Sequence, residues 1–143
     1  MQISEIDNKL LIRLDKGEEI LSKLKQVCID YNITAGKISG IGAVSEVTLG
    51  YYHLKTKFYD KKRFDGDYEL LTLSGNVSSL DGESFIHIHM SMSDENYQVF
   101  GGHLFEANIA VTGEIWILPM DLKVNREKNE EIGLNLMCFG EKI

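Results

Sequence analysis

The sequence predicts an α+β fold in which one main N-terminal helix accompanies a mostly antiparallel β-sheet. The first observation is a helical pattern of apolar residues near the N-terminus, at spacings of three and four. The second is a series of segments with β-type alternation in the rest of the chain. One helix followed by strands favours an antiparallel sheet over repeated β–α–β units. The 143 residues, 43% of them hydrophobic, are typical of one globular domain that spans 1–143.

The composition excludes several classes of protein. Residues 1–7 carry no basic segment followed by an apolar one, and no stretch approaches the roughly 20 apolar residues of a membrane helix. Cys28 and Cys138 have no metal-binding or redox spacing, and Cys28 lies on the apolar face of the predicted helix, so we expect it in the core. We therefore expect a cytoplasmic protein with no membrane partner. The net charge of −7 argues against a surface built mainly for phosphate backbones.

The first elements are a short strand and the helix. Residues 10–14 are predicted to form a short strand, and Asp15 follows as a helix N-cap with Glu18 in the capping-box position. Apolar residues then predict a helix over 18–31 with one buried face. Asn32 is expected to end it, because asparagine tolerates the left-handed conformation.

The remaining segments predict strands. They cover residues 34–41, 43–54, 67–77, 84–92, 108–118 and 133–139. Gly40-Ile41-Gly42 resembles half of a dinucleotide fingerprint, but the third glycine is missing and no helix follows, so we interpret it as a turn between strands. The polar stretch 121–131 is predicted to be an exposed loop or a short solvated helix.

A pair of histidines marks the most informative strand, 84–92. Alternation directs Ile88 and Met90 towards the core and His87 and His89 to the opposite face. The strand rise separates the roots of the two histidines by about 6.5 Å, which lets both rings converge on one ion. Neutral imidazole nitrogen suits zinc, copper, nickel or iron.

A metal needs at least a third ligand, and the other histidines are His53 and His103. Gly101-Gly102 precedes His103, and we expect these glycines to let the backbone turn sharply and present its ring. Three histidines and a water form a known zinc arrangement with one open position. Asp94 and Glu95 are alternative ligands. The competing interpretation is that the histidines are ordinary polar residues on a half-exposed sheet.

A basic stretch lies between residues 54 and 64. Its aromatic residues could stack on bases while its cationic residues follow the phosphates of a nucleic acid. The alternative is a solvated hairpin tip with its aromatics tucked underneath, which the acidic character of the protein favours. The candidate nucleic-acid contacts are Lys55, Lys57, Lys61, Lys62 and Arg63.

Four ordered motifs resemble the PPC domain, the plants-and-prokaryotes conserved domain, which occurs alone in bacteria and archaea and beside AT-hooks in plants. They are Gly40-Ile-Gly-Ala-Val-Ser-Glu-Val-Thr-Leu-Gly-Tyr-Tyr52, Tyr68-Glu-Leu-Leu-Thr-Leu-Ser-Gly-Asn76, His87-Ile-His89 and Gly101-Gly-His-Leu104. The resemblance implies an α+β fold, a homotrimer, and a metal such as zinc held by His87, His89 and His103.

The chain departs from that family in two places. It lacks the Arg-Gly-Arg-Pro stretch that would enter a minor groove, which weakens the expectation of DNA binding. It also carries Glu106-Ala107 where a glycine is more usual, which implies a modest change in a turn. We therefore expect a metal-binding homotrimeric module with a binding or regulatory role. The alternatives are a DNA-binding protein, or a metal-dependent enzyme whose general base would be Glu83, Glu95 or a carboxylate from another subunit, none of which the sequence singles out.

Overall fold

A computed structural model describes residues 1–139. Within them the chain forms one α-helix and eight β-strands, and none of the helical segments described is long and apolar enough to cross a membrane. In chain order the elements are β1 (Gln2–Ile6), β2 (Lys9–Asp15), α1 (Ile20–Asp30), β3 (Gly36–His53), β4 (Phe58–Leu80), β5 (Glu83–Ser93), β6 (Val99–Pro119), β7 (Val124–Asn129) and β8 (Leu134–Phe139).

The strands form one sheet whose centre closes on itself. β3 pairs with β4 and β6, and β5 also pairs with β4 and β6, so these four strands make a closed circuit. β2 extends the sheet beyond β6 and β1 extends it beyond β2, while β7 and β8 lie beyond β4. Every pairing is antiparallel except the one between β4 and β7. The predicted class, a mostly antiparallel sheet with one helix, is confirmed.

The core lies between α1 and the sheet. The helix packs against β5 and β6, and its apolar stripe is fully buried. Cys28 belongs to this stripe, as the sequence predicted. β2 contributes the alternating residues Leu10, Ile12 and Leu14, each no more than 2% exposed. Burying one such side chain contributes about 2 kcal/mol, so this apolar layer stabilises the sheet that carries the opposite, outward face.

The helix begins two residues later than predicted. Lys16 and Gly17 form a turn, with a φ of 84° at Gly17, and this segment is tied to β6 because Gly17 N donates to Ile109 O and Ile109 N donates to Glu18 O. The N-cap is therefore Glu19, not Asp15, and its carboxylate accepts from the amides of Leu21 and Ser22 at 3.0 and 2.7 Å. The predicted stop is confirmed, since Asn32 adopts a φ of 52° just after the helix.

The predicted turn at Gly40-Ile41-Gly42 is wrong, because β3 runs unbroken through it. The segment is a bulge in which the pairing with β4 and β6 shifts register. A Cβ atom at Gly42 would collide with the carbonyl oxygen of Thr112 on β6. Glycine is needed there for close approach of two strands, and the local sequence resembles that of a turn for this reason.

The stretch 121–131 contains β7 rather than a loop or a helix. β7 pairs with β8 to make a two-stranded hairpin at the edge of the sheet. Only Val124 of this strand is buried, and the other side chains of the strand are exposed or half-buried. Because the hairpin contributes so little to the core, its sequence is too polar for the apolar alternation by which strands are usually recognised.

Candidate metal centre

The three predicted histidines lie together on the outer face of the sheet. His87 and His89 occupy alternate positions of β5, and His103 lies directly opposite His89 on β6. The ring centroids are 5.0 Å apart for His87–His89 and His87–His103, and 5.4 Å apart for His89–His103. One nitrogen from each ring lies within 4.8 Å of the others. His53 is separate from the group and packs against Tyr51 at the end of β3.

The alternation that predicted this face is confirmed on β5. Ile88, Met90 and Met92 are buried in the core, whereas His87 is half-buried and His89 is exposed. The prediction of a sharp turn at Gly101-Gly102 is wrong, because both glycines lie within β6. A Cβ atom at Gly102 would lie 2.9 Å from the carbonyl oxygen of Gly50. The glycines let β3 and β5 approach β6 closely, and this approach brings His103 next to the other two rings.

Burial and nearby positive charge keep two of the rings neutral. The pKa of His87 is lowered by burial and then by Arg126 and His89. The pKa of His103 is lowered to about 4, first by burial and then by four groups that are cationic when protonated: His87, His89, Lys61 and Arg126. A neutral imidazole keeps a lone pair, which metal coordination requires. These two rings are therefore prepared as ligands at neutral pH.

An unsatisfied atom supports the fit of a metal. His103 Nδ1 is buried and has no hydrogen-bond partner among residues 1–139, although buried polar atoms in folded proteins are nearly always paired. Nitrogen ligands of a tetrahedral zinc lie about 3.3 Å apart, so the rings must close by about 1.5 Å at most. Rotation about the histidine side-chain bonds covers that distance. The three-histidine group can hold a metal.

Arg126 lies beside the histidines, and sequence analysis missed it. Its guanidinium reaches β4, β5 and β8, and one nitrogen, Nη2, lies 3.4 Å from His87 Nδ1. The other contacts are hydrogen bonds to Ser78 Oγ at 2.8 Å, Asn135 O at 2.9 Å and Asn76 Oδ1 at 3.2 Å, and stacking 4.7 Å from the ring centroid of Phe85. No motif or spacing in the local sequence marks this arginine, because its position depends on β7 lying next to β4.

The β7–β8 hairpin that carries Arg126 is fastened at its tip. The hydroxyl of Tyr52 donates to Ile132 O at 2.7 Å, and Lys57 Nζ donates to Glu130 O at 2.6 Å. Both donors belong to the β3–β4 hairpin, so the two hairpins are joined beside the histidine face.

The five predicted nucleic-acid contacts do not share one surface. Lys61 Nζ lies 3.8 Å from the ring centroid of Phe105, a neighbour of His103, whereas Lys62 stacks on Phe64 and Phe100 on the other side of β4. Lys55 is exposed in the turn at 54–57, and Lys57 Nζ donates to Glu130 O at the tip of the β7–β8 hairpin. Arg63 is surrounded by carboxylates, at 2.9 Å from Asp65, 3.5 Å from Glu46 and 3.8 Å from Glu106.

The candidate carboxylates lie outside the histidine group. Asp94 does not belong to the convergent group, and its Oδ1 accepts from the amides of Asn96 and Gln98, both at 2.9 Å. Glu83 is paired with Lys25 at 3.3 Å, and Glu95 is exposed. Glu106 lies within β6, so the expected change in a turn at Glu106-Ala107 is wrong. In the described part of the chain the metal-binding group consists of histidines alone.

Three solved structures resemble this chain over nearly its whole length. One from Bacteroides thetaiotaomicron, called a "putative dna binding protein", is 33% identical, with a TM-score of 0.94 and 96% of each chain covered. A metal-containing protein from Archaeoglobus fulgidus is 36% identical, with a TM-score of 0.87 and coverage of 94% of this chain and 95% of that one. A plant- and prokaryote-conserved (PPC) protein from Pyrococcus horikoshii is 33% identical, with a TM-score of 0.86 and coverage of 99% and 96%.

A sequence model of the Plants and Prokaryotes Conserved (PCC) domain matches residues 1–121. No curated protein matches the chain. The match includes all three histidines and ends before β7, so the hairpin with Arg126 lies outside it. The ordered motifs, the family match and the shared fold agree: the chain belongs to the plants-and-prokaryotes conserved domain family.

Proposed function

We propose that this chain is a metal-binding module in which His87, His89 and His103 hold zinc or another divalent transition metal, and that it works as a homotrimer in a binding or regulatory role. The observation that carries the proposal is the convergence of three imidazoles from two paired strands, one with a buried, unpartnered nitrogen. The name of the Archaeoglobus fulgidus protein, which calls it metal-containing, supports the same proposal.

A metal explains the burial of His103 better than an ordinary polar sheet surface does. Leaving a polar atom buried without a partner costs about 1 to 3 kcal/mol, and coordination through Nδ1 would remove that cost. All three donors are imidazole nitrogens, which suit transition metals and not magnesium or calcium. With three protein ligands, a fourth position stays open to a ligand from solution, which suits a binding role.

Competition with a chromophoric chelator tests the metal site. We expect wild-type protein to take up one zinc ion per chain. His87→Ala, His89→Ala and His103→Ala should each weaken zinc binding by more than about 100-fold, because loss of a direct ligand costs more than loss of a supporting residue.

The matched control for this titration is His53→Ala, since His53 is an exposed histidine outside the group. It should bind zinc as the wild type does. Equal zinc affinity in His53→Ala and His103→Ala would contradict the proposed site, and so would wild-type protein that takes up no zinc.

Apolar side chains that face away from the core support the homotrimer. Leu11, Ile41 and Trp116 are 37%, 56% and 39% exposed and line one shallow depression. Exposed apolar groups that cluster on one face are typical of a contact surface between proteins. Copies of this chain would cover them in a closed assembly.

We do not extend the proposal to DNA. The printed name of the Bacteroides thetaiotaomicron protein applies to that protein. In this chain the positive charge of Arg63 is compensated by three carboxylates, and Lys61 and Lys62 lie on opposite sides of their strand. A phosphate backbone would need these charges to be free and on one surface.

A further inference from the structure

The surroundings of the histidine group are cationic although the protein is acidic. The net charge of the chain is −7, yet the side chains that carry a charge at neutral pH and act on His103 are the cations Lys61 and Arg126. Among residues 1–139, no carboxylate forms an ion pair with Arg126. Arg126 is half-buried, and burial lowers its pKa. A partly desolvated positive charge without a counter-ion is costly, so the site has an unmet demand for negative charge.

A metal ion on the histidines would increase this demand. His87 Nδ1 lies 3.4 Å from Arg126 Nη2 and, in the tautomer with a free lone pair on Nδ1, accepts a weak hydrogen bond from it. Coordination through Nδ1 would occupy that lone pair, and coordination through Nε2 would place the ring proton on Nδ1. In both cases Arg126 loses this acceptor. One of its N–H groups then faces the site, beside a newly added positive charge.

The chemistry of the remaining neighbours indicates the class of a ligand. Phe85 stacks on Arg126, and Tyr59 and Phe105 flank His103 with ring centroids at 5.1 and 4.8 Å. These neighbouring rings add no negative charge to the cationic surroundings of the histidines. The guanidinium is planar and carries paired donors that match the oxygens of a carboxylate or a phosphate.

We propose that the metal-loaded centre binds a small oxyanion, a carboxylate or a phosphate, between the three histidines and Arg126. Lys61 adds a second positive charge from β4, while Arg126 provides the directional hydrogen bonds. The inference rests on the proposed metal site, and it names the class of ligand that site takes. It also gives the β7–β8 hairpin, which lies outside the family match, a role in ligand selection.

Cobalt-loaded protein allows the anion to be observed directly. The visible absorption spectrum of bound cobalt(II) changes when a ligand enters its coordination sphere. Separate titrations with sodium pyruvate and with inorganic phosphate, at constant ionic strength set by sodium perchlorate, distinguish the two sources of the oxyanion. We expect a saturable spectral change with at least one of them. Arg126→Gln should weaken that anion about tenfold or more, as expected for loss of a charge-assisted hydrogen bond, with the cobalt stoichiometry unchanged.

Three further variants separate ligand binding from folding. Arg126→Lys keeps the charge and should retain part of the affinity, and Lys61→Gln, at an exposed position, should weaken the anion even if Arg126→Gln does not fold. Arg63→Gln makes the same charge change at a compensated position and should leave anion affinity as in the wild type.

The outcomes distinguish this inference from the proposed function. Bound cobalt without a saturable response to either anion would overturn the inference and leave the metal site standing. An equal loss of anion affinity in Arg63→Gln and Lys61→Gln would also overturn it. The loss would then come from the change in overall charge and not from the position of Lys61 near the histidines. Protein that binds no cobalt would overturn both.

Discussion

Burial shifts the pKa of two chemically important side chains in this protein, the thiol of Cys28 and the imidazole of His103. Cys28 is fully buried, and burial raises the pKa of its thiol to about 11. His103 is half-buried next to Lys61 and Arg126, and its pKa is lowered to about 4, first by burial and then by nearby positive charge. The same loss of solvent makes the thiol inert and the imidazole a better metal ligand, because both groups are held in their neutral forms.

Cys28 should therefore resist alkylation in the folded protein. In a Cys138→Ser background, iodoacetamide at about pH 8 should label Cys28 only after denaturation, since the thiolate is the reactive form. Mass spectrometry of the intact protein measures the added label. Wild-type protein is the control, because its half-buried Cys138 offers a second, more accessible thiol. Labelling of Cys28 at the same rate in native and denatured protein would contradict its place in the core.

Residues also differ in how far the sequence alone could identify them. His87 and His89 were identifiable because alternation places them on one face of a single strand. His103 required either the family resemblance or the pairing of β5 with β6. Arg126 was not identifiable, because no motif or residue spacing in the neighbouring sequence indicates its contacts with β4 and β5.

Among the elements, the β7–β8 hairpin connects the fold with the site. Its tip is held by Tyr52 and Lys57, and its first strand carries Arg126. Since the hairpin has few buried side chains, these polar contacts should account for much of its attachment to the sheet.

Removal of one hydroxyl should loosen this element selectively. Tyr52→Phe eliminates the hydrogen bond to Ile132 O, which should cost about 1 kcal/mol. Amide hydrogens of residues 124–139 should exchange faster in hydrogen–deuterium exchange, while those of β2 and α1 stay as protected as before. Tyr51→Phe, at the exposed neighbouring tyrosine, is the matched control. Unchanged exchange in the hairpin of Tyr52→Phe would show that the tip contact does not hold it.

The elements that sequence analysis predicted well share one property, an apolar face of regular period. This holds for β2, α1 and β5, whose bounds differ from the predictions by one or two residues at most. β3 was divided in two because the glycines of its bulge resemble a turn, although they serve the approach of β6. β7 was missed because it lies at the edge and contributes only Val124 to the core.

For the whole molecule, the predicted class and family are confirmed, and the assembly is a proposal. The sequence could not give the strand order, because closure of the circuit through β5 depends on pairings between residues distant in the chain. The apolar depression lined by Leu11, Ile41 and Trp116 was also not apparent in the sequence, since Leu11 and Trp116 alternate with core neighbours and Ile41 lies in the glycine bulge of β3.

A charge on this face should break the proposed homotrimer without unfolding the chain. Ile41→Glu places a carboxylate at a position 56% exposed in the single chain, so its cost should appear only in the assembly. Sedimentation velocity should detect a shift from trimer to monomer. Ile29→Glu, 54% exposed on α1, is the matched control and should remain trimeric. An identical sedimentation coefficient for both variants would contradict this surface.

Native mass spectrometry of the untagged protein reports bound metal and subunit number in one experiment. We expect a homotrimer that carries one transition-metal ion per subunit, with the metal lost in the double variant His87→Ala/His89→Ala and retained in His53→Ala. Metal-free monomers after incubation with zinc would overturn both the metal site and the homotrimer, and the three histidines would then be polar side chains of a half-exposed sheet.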